Sequence, residues 1–372
     1  MSFCSYFDTH VCRSCSWIDF HYGEQIKQKE DHLHTLLDPF KPLEWLKPVP
    51  SQLKGFRNKA KMVATPTREG VVLGISEESS LIECPLYDLS MQRALENIQQ
   101  WLRDLGIKAY DVKKRKGELK YVLLTRSTSN GSMMLRFVLR SHGIVPRLQN
   151  DLAKLLELSP ELKVVTANIQ PVHMAIMEGD EEIFFTEERR LEERLNGIPL
   201  YIRPKSFFQT NPDVAAKLYR SASEWADESK PKRLWDLFCG VGGFALHCAA
   251  PDREIVGIEI ESESIACARD SAAQIELQNI RFESLDAASF SANAGEKPDV
   301  LIVNPPRRGL GEQICKWIDK IRPPRILYSS CNALTLTKDI EMLGAYRLNR
   351  VQIFDMFPHT AHYEVLVELT LG

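Results

Sequence analysis

The sequence has no apolar run long enough to cross a membrane, and its first ten residues contain no basic stretch followed by an apolar core. We therefore expect a cytoplasmic protein that is neither exported nor embedded in a membrane. Its nine cysteines are an odd number, and without an export signal they do not indicate a disulfide framework. The chain also lacks internal repeats and low-complexity segments, which excludes a solenoid, a propeller and extended disorder.

Length and composition predict a folded protein with more than one domain. The 372 residues exceed the usual size of one domain, and 44% hydrophobic with 26% charged residues is ordinary for proteins with a packed core. The net charge of −3 argues against a general polyanion-binding protein. Residues 41–150, however, hold 19 Lys and Arg against 10 Asp and Glu. One third of the chain is therefore basic.

Two segments of this basic region are candidates for contacts to an anionic partner. Lys113–Lys116 is a run of four cations, for which a solvated face without a ligand is an equal alternative. The segment 55–61 places cations beside Phe56 and Asn58, a mixture suited to phosphates and exposed bases. The second segment is the better candidate for a nucleic-acid contact.

The pattern of apolar residues divides the chain into three parts. Residues 1–45 form an N-terminal cysteine-rich segment that becomes helical in pattern. Residues 46–200 combine β-rich runs with helical segments at 89–105 and 147–158, which predicts a central α+β domain. Residues 201–372 alternate short apolar runs with helices, which predicts an α/β domain whose parallel sheet has helices on both faces.

The last two apolar runs of the chain differ from this alternation. Residues 346–354 and 363–370 are joined by a loop that is too short for a crossover helix. Parallel neighbours need such a crossover, whereas antiparallel strands do not. We therefore predict an antiparallel hairpin at the edge of the sheet.

A glycine-rich loop follows the first predicted strand of the C-terminal part. In the segment 236–244 the glycines stand between a strand and a helix, where the backbone can approach a nucleotide-like ligand closely. Glu259 ends the next strand, where a carboxylate can accept hydrogen bonds from ribose hydroxyls. The loop reads G-x-G-G rather than G-x-G-x-x-G, and Asp236 would repel a pyrophosphate but attract a sulfonium and an amino group. These features favour S-adenosylmethionine over NAD, with a purely structural turn as the alternative.

Four cysteines have the spacing of metal ligands. Cys4, Cys12 and Cys15 follow the pattern C-x7-C-x2-C, and Cys84 directly precedes a proline. Structural zinc usually uses two C-x2-C pairs, whereas three clustered cysteines with a remote Cys-Pro are closer to iron–sulfur ligation. We predict a [4Fe-4S] cluster with a structural role, and zinc or unligated thiols are the alternatives.

Cys331 and Glu364 are the candidate catalytic pair. Cys331 follows the predicted strand 325–330, and ligands of such sheets lie at the carboxyl ends of the strands. A thiolate that adds to carbon 6 of a uracil makes carbon 5 nucleophilic, and a carboxylate must remove the proton of carbon 5 after methyl transfer. Asn304 precedes two prolines at the end of another strand and can present its amide to a planar heterocycle. A core cysteine and a surface glutamate are the alternatives.

Four motifs follow one another in this chain, namely residues 236–242, 304–307, 329–332 and 359–364. In this order they resemble the RNA uracil-C5 methyltransferases. The N-terminal cysteine spacing and the segments 55–59 and 206–211 resemble in particular the bacterial 23S rRNA members of that family. The resemblance covers essentially the whole chain.

The resemblance implies an S-adenosylmethionine-dependent enzyme with a Rossmann-like catalytic domain, which methylates one uridine of 23S rRNA in a single-stranded segment or hairpin loop. It implies Cys331 as the nucleophile and Glu364 as the base, with cofactor contacts from Gln209, Phe238, Glu259 and Asn304 and cluster ligands Cys4, Cys12, Cys15 and Cys84. It indicates no membrane and no obligate protein partner.

Two departures from the family pattern bear on RNA recognition. Larger relatives begin with an additional small β-barrel RNA-binding domain, and relatives often carry Asp at the position of Asn304. Recognition of RNA is therefore expected to fall on the cluster region and the basic central domain.

Three alternative functions stay open at this point. The chain could methylate another RNA such as a tRNA, or it could methylate an exocyclic amine presented by the segment 304–306, for which Cys331 would be dispensable. The third alternative is a cluster-bearing RNA-binding protein whose adenosine pocket is vestigial.

Overall fold

A computed structural model describes residues 3–75, 79–173, 177–287, 289 and 297–372. The chain forms two compact units. The first unit comprises the segment that ends at Ser14 together with Leu53–Glu193, and the second comprises Cys15–Gln52 together with Arg194–Gly372.

The described residues form short and medium-length helices. The α-helices are α1 (Ser5–Asp8), α2 (Tyr22–Leu37), α3 (Leu89–Asp104), α4 (Val145–Asn150), α5 (Leu152–Leu158), α6 (Pro212–Glu228), α7 (Gly243–His247), α8 (Ser262–Gln274), α9 (Glu312–Ile321) and α10 (Ala333–Met342). In the part of the chain that the structure describes, none of them has the length and apolar character to span a bilayer.

Most strands belong to one of two large sheets. The strands are β1 (Glu44–Trp45), β2 (Lys59–Thr67), β3 (Gly70–Gly74), β4 (Leu119–Arg126), β5 (Met133–Leu139), β6 (Leu162–Ile169), β7 (Glu181–Phe184), β8 (Leu191–Leu195), β9 (Ile198–Ile202), β10 (Arg233–Leu237), β11 (Glu254–Glu259), β12 (Ile280–Ser284), β13 (Val300–Val303), β14 (Arg325–Ser330), β15 (Tyr346–Phe354) and β16 (Glu364–Leu371). β8 and β9 form a separate two-stranded sheet.

The second unit is built on an eight-stranded sheet in the order β1-β15-β16-β14-β13-β10-β11-β12. The strands β10 to β14 pair in parallel, which confirms the α/β fold class predicted for the C-terminal part. β15 and β16 are antiparallel as predicted, but β16 lies between β14 and β15, and the short β1 forms the edge of the sheet.

The core of this unit explains why its strands are apolar throughout. Leu33 of α2, Ile318 of α9 and Leu336 of α10 pack in one buried cluster with Tyr328 and Val367 of the sheet. The helices α7 and α8 contact β10, β11 and β12. Strands that carry helices in this way are buried on their faces and read as continuous hydrophobic runs.

The grouping of the N-terminal residues differs from the predicted division into 1–45, 46–200 and 201–372. Residues 15–52 belong to the second unit rather than to a separate segment. The physical reason is α2, because Leu33 and Leu37 are fully buried in the core of that unit. The division that the sequence placed after residue 200 falls between Glu193 and Arg194.

The first unit contains a six-stranded sheet in the order β3-β2-β4-β5-β6-β7. All neighbours are antiparallel except β5 and β6. The helix α3 buries Ile98, Trp101 and Leu102 in a cluster with Phe137 of β5. The two predicted helical segments are observed as α3 and as the pair α4 and α5.

Candidate active site

The loop after β10 turns sharply. Phe238, Gly240 and Gly242 have positive φ angles of 63°, 54° and 86°. Glycine adopts this region freely, whereas a residue with a side chain such as Phe238 is strained there. Gly243 has no room for a side chain, because a Cβ would come within 2.5 Å of the Tyr219 ring. The glycine spacing thus produces the tight turn between strand and helix that the sequence predicts.

Two carboxylates flank this loop. Glu259 accepts hydrogen bonds from the backbone N–H groups of Gly240 at 3.2 Å and Ile260 at 2.8 Å. Asp236 is fully buried, its Oδ2 accepts from Ala245 N at 3.0 Å, and burial raises the pKa of its carboxyl group to about 8. Its other oxygen, Oδ1, has no hydrogen-bond partner within the described part of the chain. A buried polar atom without a hydrogen-bond partner is uncommon in folded proteins.

A cavity of about 780 Å³ lies in the second unit, lined by residues from the carboxyl ends of β10, β11 and β13. This is the edge at which open α/β sheets bind ligands. All six residues predicted to bind the cofactor or to act in catalysis line it, namely Gln209, Phe238, Glu259, Asn304, Cys331 and Glu364. The sheet brings them together from distant parts of the sequence, and their individual roles stay predictions.

The carboxyl group of Glu364 is buried beside two neutral donors. Its Oε1 accepts hydrogen bonds from Ser329 Oγ at 2.5 Å and from Asn304 Nδ2 at 3.1 Å. Burial raises the pKa of this group to about 7, although both hydrogen bonds lower it. A carboxyl group with a pKa near neutrality can accept a proton and release it again under physiological conditions. The hydroxyl of Ser329 had no signal in the sequence beyond its place two residues before Cys331.

Cys331 lies directly across the sheet from this group. The last residue pair between β14 and β16 is Ser330 with Val365, and continuing this register by one residue puts Cys331 opposite Glu364. The Cys331 side chain is half-buried and lines the cavity. Burial and the charge of Glu364 raise the pKa of its thiol, while the charge and hydrogen bond of Arg307 oppose this rise.

Arg307 is a cavity residue that the sequence analysis did not single out. Its carbonyl oxygen accepts hydrogen bonds from Asn332 Nδ2 at 2.9 Å and Thr335 Oγ1 at 3.2 Å. Its guanidinium lies 3.2 Å from His362 Nδ1. These contacts hold a positive charge beside Cys331. In the sequence, Arg307 could have been identified from its position directly after the two prolines that follow β13.

A buried ion pair supports the loop that leads to Glu364. Lys29 Nζ of α2 lies 2.6 Å from Asp355 Oδ1, and both side chains are fully buried. Lys29 also donates to the carbonyl of Phe357, and the hydroxyl of Tyr22 donates to Asp355 Oδ2 at 2.8 Å. The helix that the sequence analysis assigned to an N-terminal segment therefore holds the start of the loop between β15 and β16.

A second residue of α2 holds the middle of this loop. Gln25 Oε1 accepts from His359 N at 2.7 Å, and Gln25 Nε2 donates to the carbonyl oxygens of Trp17 and Phe20, both at 3.0 Å. The backbone of His359 is left-handed, with φ of 66°, and its carbonyl accepts from Trp17 N at 2.9 Å. Gln25 and Lys29 are one helical turn apart, so α2 contacts the loop with one face.

The structure does not arrange the predicted cluster ligands as a metal site. In the ranges that it describes there is no group of three or more His, Cys, Asp or Glu side chains that could hold a metal ion. Cys4, Cys12 and Cys84 all belong to the first unit, and burial, followed by the charges of Cys4 and Cys12, raises the pKa of Cys84 to about 11. Cys15 begins the second unit. The iron–sulfur segment therefore stays a prediction from the cysteine spacing.

The two basic segments differ in exposure. Phe56 and Asn58 are buried, with 7% and 3% of their surface exposed, so neither side chain can stack on or bind an exposed base in the way the sequence analysis expected. All four side chains of Lys113–Lys116 are exposed on a turn closed by a bridge between Asp111 and Lys116. The exposed run Lys113–Lys116, rather than the segment 55–61, is therefore the better candidate for a nucleic-acid contact.

Three comparisons relate this chain to known proteins. The family model described as tRNA (Uracil-5-)-methyltransferase matches residues 200–371. Among curated proteins, a Shewanella loihica protein is 52% identical over 372 residues, 98% of each chain, and an Escherichia coli O139:H28 protein is 50% identical over 370 residues, 98% of this chain and 99% of its own. Both are named 23S rRNA (uracil(747)-C(5))-methyltransferase RlmC.

A solved structure is similar over nearly the whole chain. It is the crystal structure of the Pyrococcus abyssi tRNA (uracil-54, C5)-methyltransferase in complex with S-adenosyl-L-homocysteine. The TM-score is 0.81 at 26% identity, and the match covers 96% of this chain and 85% of that one. This chain therefore shares its overall fold with a methyltransferase of known structure.

Proposed function

Because the chain belongs to the family of RNA uracil-C5 methyltransferases, we propose that it methylates carbon 5 of one uridine in 23S rRNA, using S-adenosylmethionine. The target is of the uracil-747 type for which its relatives are named. The observation that carries the proposal is that Cys331 and Glu364 line one cavity together with Phe238 and Glu259 of the strand ends. The enzyme would act in the cytoplasm.

The residues at the loop after β10 fit S-adenosylmethionine. Asp236 is not among the residues that line the cavity, and burial raises the pKa of its carboxyl group to about 8, so the proposed contacts are residues that do line the cavity. Gln209, Phe238, Glu259 and Asn304 line the cavity and are the proposed contacts. When bound, the cofactor supplies a methyl group on a positively charged sulfur.

The proposed reaction begins at Cys331. Its thiolate forms a bond to carbon 6 of the uracil, and the electron pair of the carbon 5–carbon 6 double bond moves into an enolate. Carbon 5 would then form a bond to the methyl group, while the bond between the methyl carbon and the sulfonium sulfur of the cofactor breaks and its electron pair stays on the sulfur of S-adenosylhomocysteine. Burial raises the pKa of the Cys331 thiol, and the positive charge of Arg307 lowers it and so favours the thiolate. This step needs the target base out of its stack and in the cavity.

Glu364 completes the proposed reaction. Carbon 5 now carries a methyl group and a proton, and the carboxylate of Glu364 accepts this proton. The electron pair re-forms the carbon 5–carbon 6 double bond and expels the sulfur of Cys331 as a thiolate. A base with a pKa of about 7 is ionised in a large fraction of molecules at neutral pH and is still strong enough to accept the proton.

Trapping of the covalent adduct tests this function. RNA that carries 5-fluorouracil has no proton to remove at carbon 5, so the wild-type enzyme should remain bonded to it in a denaturing gel when the cofactor is present. Cys331→Ala should form no such band. Cys248→Ala is the matched control, because that thiol is buried away from the cavity residues, and it should behave as the wild type.

The choice of RNA and of enzyme variant distinguishes the proposed function from the alternative functions. A 23S rRNA fragment that reacts while tRNA transcripts do not supports the proposed target, and the reverse result favours a tRNA substrate. Methylation by Cys331→Ala would favour transfer to an amino group. No binding of S-adenosylmethionine in calorimetry would favour an RNA-binding protein without this activity.

The exposed turn Lys113–Lys116 is the proposed contact to the RNA backbone. Four consecutive exposed cations, with Asp111 as their near neighbour, form a site for phosphates whose binding weakens with salt. A variant with all four cations replaced by Ala should bind the rRNA fragment more weakly and with a smaller dependence on salt concentration. Its affinity for S-adenosylmethionine should not change.

A [4Fe-4S] cluster on Cys4, Cys12, Cys15 and Cys84 is proposed from the spacing of the cysteines. Thiolate ligands suit such a cluster. Cys4, Cys12 and Cys84 belong to the first unit, and the charges of Cys4 and Cys12 contribute to the raised pKa of Cys84, which supports the proposal. An anaerobic preparation should be brown and contain about four iron atoms per chain. A colourless protein with stoichiometric zinc would contradict the proposal.

A further inference from the structure

Ser329 is a buried polar residue in an apolar strand. It lies in β14, and none of its surface is exposed. A hydroxyl group that is removed from water costs free energy unless it has a hydrogen-bond partner. The hydroxyl of Ser329 donates to Glu364 Oε1 at 2.5 Å. The serine is therefore tied to the candidate base.

Strand geometry places this hydroxyl on the side of the nucleophile. Residues two apart in a strand point to the same face of the sheet. Ser329 and Cys331 are two apart, and Ser330 between them pairs with Val365 of β16. Glu364 thus has as neighbours a hydrogen-bond donor near the end of β14 and the thiol of the residue that follows this strand.

A second donor acts on the same oxygen. Asn304 Nδ2 donates to Glu364 Oε1 at 3.1 Å. Ser329 comes from β14 and Asn304 from the end of β13, so two neighbouring strands fix one oxygen of the carboxyl group. Since the Glu364 side chain also lines the cavity, the other oxygen, Oε2, is the one left for a bound substrate.

We propose that Ser329 is a positioning residue for the base: its hydroxyl fixes Oε1 of Glu364, so that Oε2 accepts the proton of carbon 5. The inference rests on the proposed function, because carbon 5 has a proton to lose only after it has been methylated. Ser329 does not touch the uracil in this scheme and acts through Glu364.

The titratable and charged groups near Glu364 are side chains other than Ser329, so replacement of Ser329 removes none of them. Cys331 faces it from the end of β14, Tyr219 faces it from α6, and Arg307 lies beside Cys331. The Ser329 hydroxyl stabilises the ionised form of Glu364, so its loss raises the pKa of that carboxyl group. Fewer molecules then hold an ionised base at neutral pH.

The test separates methyl transfer from proton removal in a single turnover. The RNA fragment carries tritium at carbon 5 of its uridines, methyl incorporation reports the first step, and release of tritium to water reports the second. In Ser329→Ala, methyl incorporation should stay within about twofold of the wild type, whereas tritium release at pH 7 should slow roughly fivefold, the fall in the ionised fraction of Glu364 for a rise of about one unit in its pKa. The midpoint of release against pH should move up by about one unit, the size expected for one hydrogen bond to a charged group.

Ser329→Thr and Ser329→Val form a matched pair for the control. They have nearly the same shape and suit a strand, but only the threonine retains the hydroxyl, so only the valine should show the slow release. If the alanine variant does not fold, the comparison of the threonine and valine variants still tests the role of the hydroxyl. Equal release by both variants, or an equal fall in methyl incorporation and release, would overturn the inference. A wild-type enzyme that methylates without releasing tritium would instead contradict the proposed function.

Discussion

Two buried carboxyl groups stand at the two ends of the loop between β15 and β16, and their partners differ. Asp355, at the start, has the cation of Lys29 at 2.6 Å on one oxygen and the hydroxyl of Tyr22 at 2.8 Å on the other. Glu364, at the end, has two neutral donors, and both contact the same oxygen. Burial is the same for both, because neither has more than 2% of its surface exposed.

The two carboxyl groups are equally buried, so they differ in their hydrogen-bond and ion-pair partners. These partners suit Asp355 to a structural role and Glu364 to the role of a base. In Asp355 a cation contacts one carboxylate oxygen and a hydroxyl donor contacts the other, so neither oxygen is left for a further ligand. A buried carboxyl group with neutral donors on a single oxygen retains an acceptor and a raised pKa, which for Glu364 is about 7. The first group can hold a loop in place, and the second can take up a proton.

Replacement of the two acids by their amides should give the largest contrast. Glu364→Gln should form the methylated adduct with RNA but release it about 10²–10⁴ times more slowly, because no base removes the proton. Asp355→Asn should release product at nearly the wild-type rate per folded molecule. Denaturing gels of a time course with unmodified RNA measure both. Loss of adduct formation in Glu364→Gln would show that this residue binds the substrate rather than acts as the base.

Replacement of Lys29, the cation paired with Asp355, should lower the stability of the fold more than the rate of the reaction. Lys29→Met leaves Asp355 buried without its counter-charge, and this should lower the free energy of unfolding by about 3–5 kcal/mol. The double variant Lys29→Met/Asp355→Asn should lose less than the sum of the two single changes, since neither charge is then left alone. Urea unfolding measures all three. A Lys29→Met variant of wild-type stability would mean that the ion pair does not hold the loop.

The raised pKa of Glu364 should appear in the dependence of stability on pH. The folded protein keeps this proton up to about pH 7, whereas the unfolded chain loses it near the ordinary value of 4.5. The free energy of unfolding should therefore fall as the pH rises through this window, by about 3 kcal/mol relative to Glu364→Gln, which has no group to titrate there. A constant difference between the two proteins from pH 4.5 to 7.5 would contradict the raised pKa.

The smallest effect is expected at Tyr22. Tyr22→Phe removes one of the two contacts of Asp355 and also the acceptor of the Ser51 N–H. The remaining pair with Lys29 should limit the loss of stability to about 1–2 kcal/mol. Tritium release should not change. A clear slowing of release would show that the Asp355 network reaches the chemistry, and the contrast between the two carboxyl groups would then fail.

Parts of the fold and of the site could be predicted from the sequence because they depend on local patterns. The strands β10 to β14 are short apolar runs separated by helices, and Gly240, Gly242 and Glu259 have a fixed spacing in the turn that follows such strands. Cys331 and Asn304 directly follow strands. Since the carboxyl ends of parallel strands meet at one edge of the sheet, their presence in one cavity could be expected.

Other features could not be predicted because they join residues that are far apart in the chain. Nothing near Lys29 indicates that α2 belongs to the second unit, and its partner Asp355 is 326 residues away. Phe56 is an aromatic residue among cations, and only the packing of the first unit decides that it is buried.

The succession of strands and helices, the turn at Gly240 and Gly242 and the types of residue at the cavity follow from local patterns, because they depend on backbone preferences and periodicity over a few residues. Which of the two buried carboxyl groups is paired with a cation, and which keeps an oxygen as an acceptor, depends on how distant elements pack together. The reason is that the partners of Asp355 and Glu364 arrive from separate elements, and the desolvation of each group exists only once those elements have packed around it.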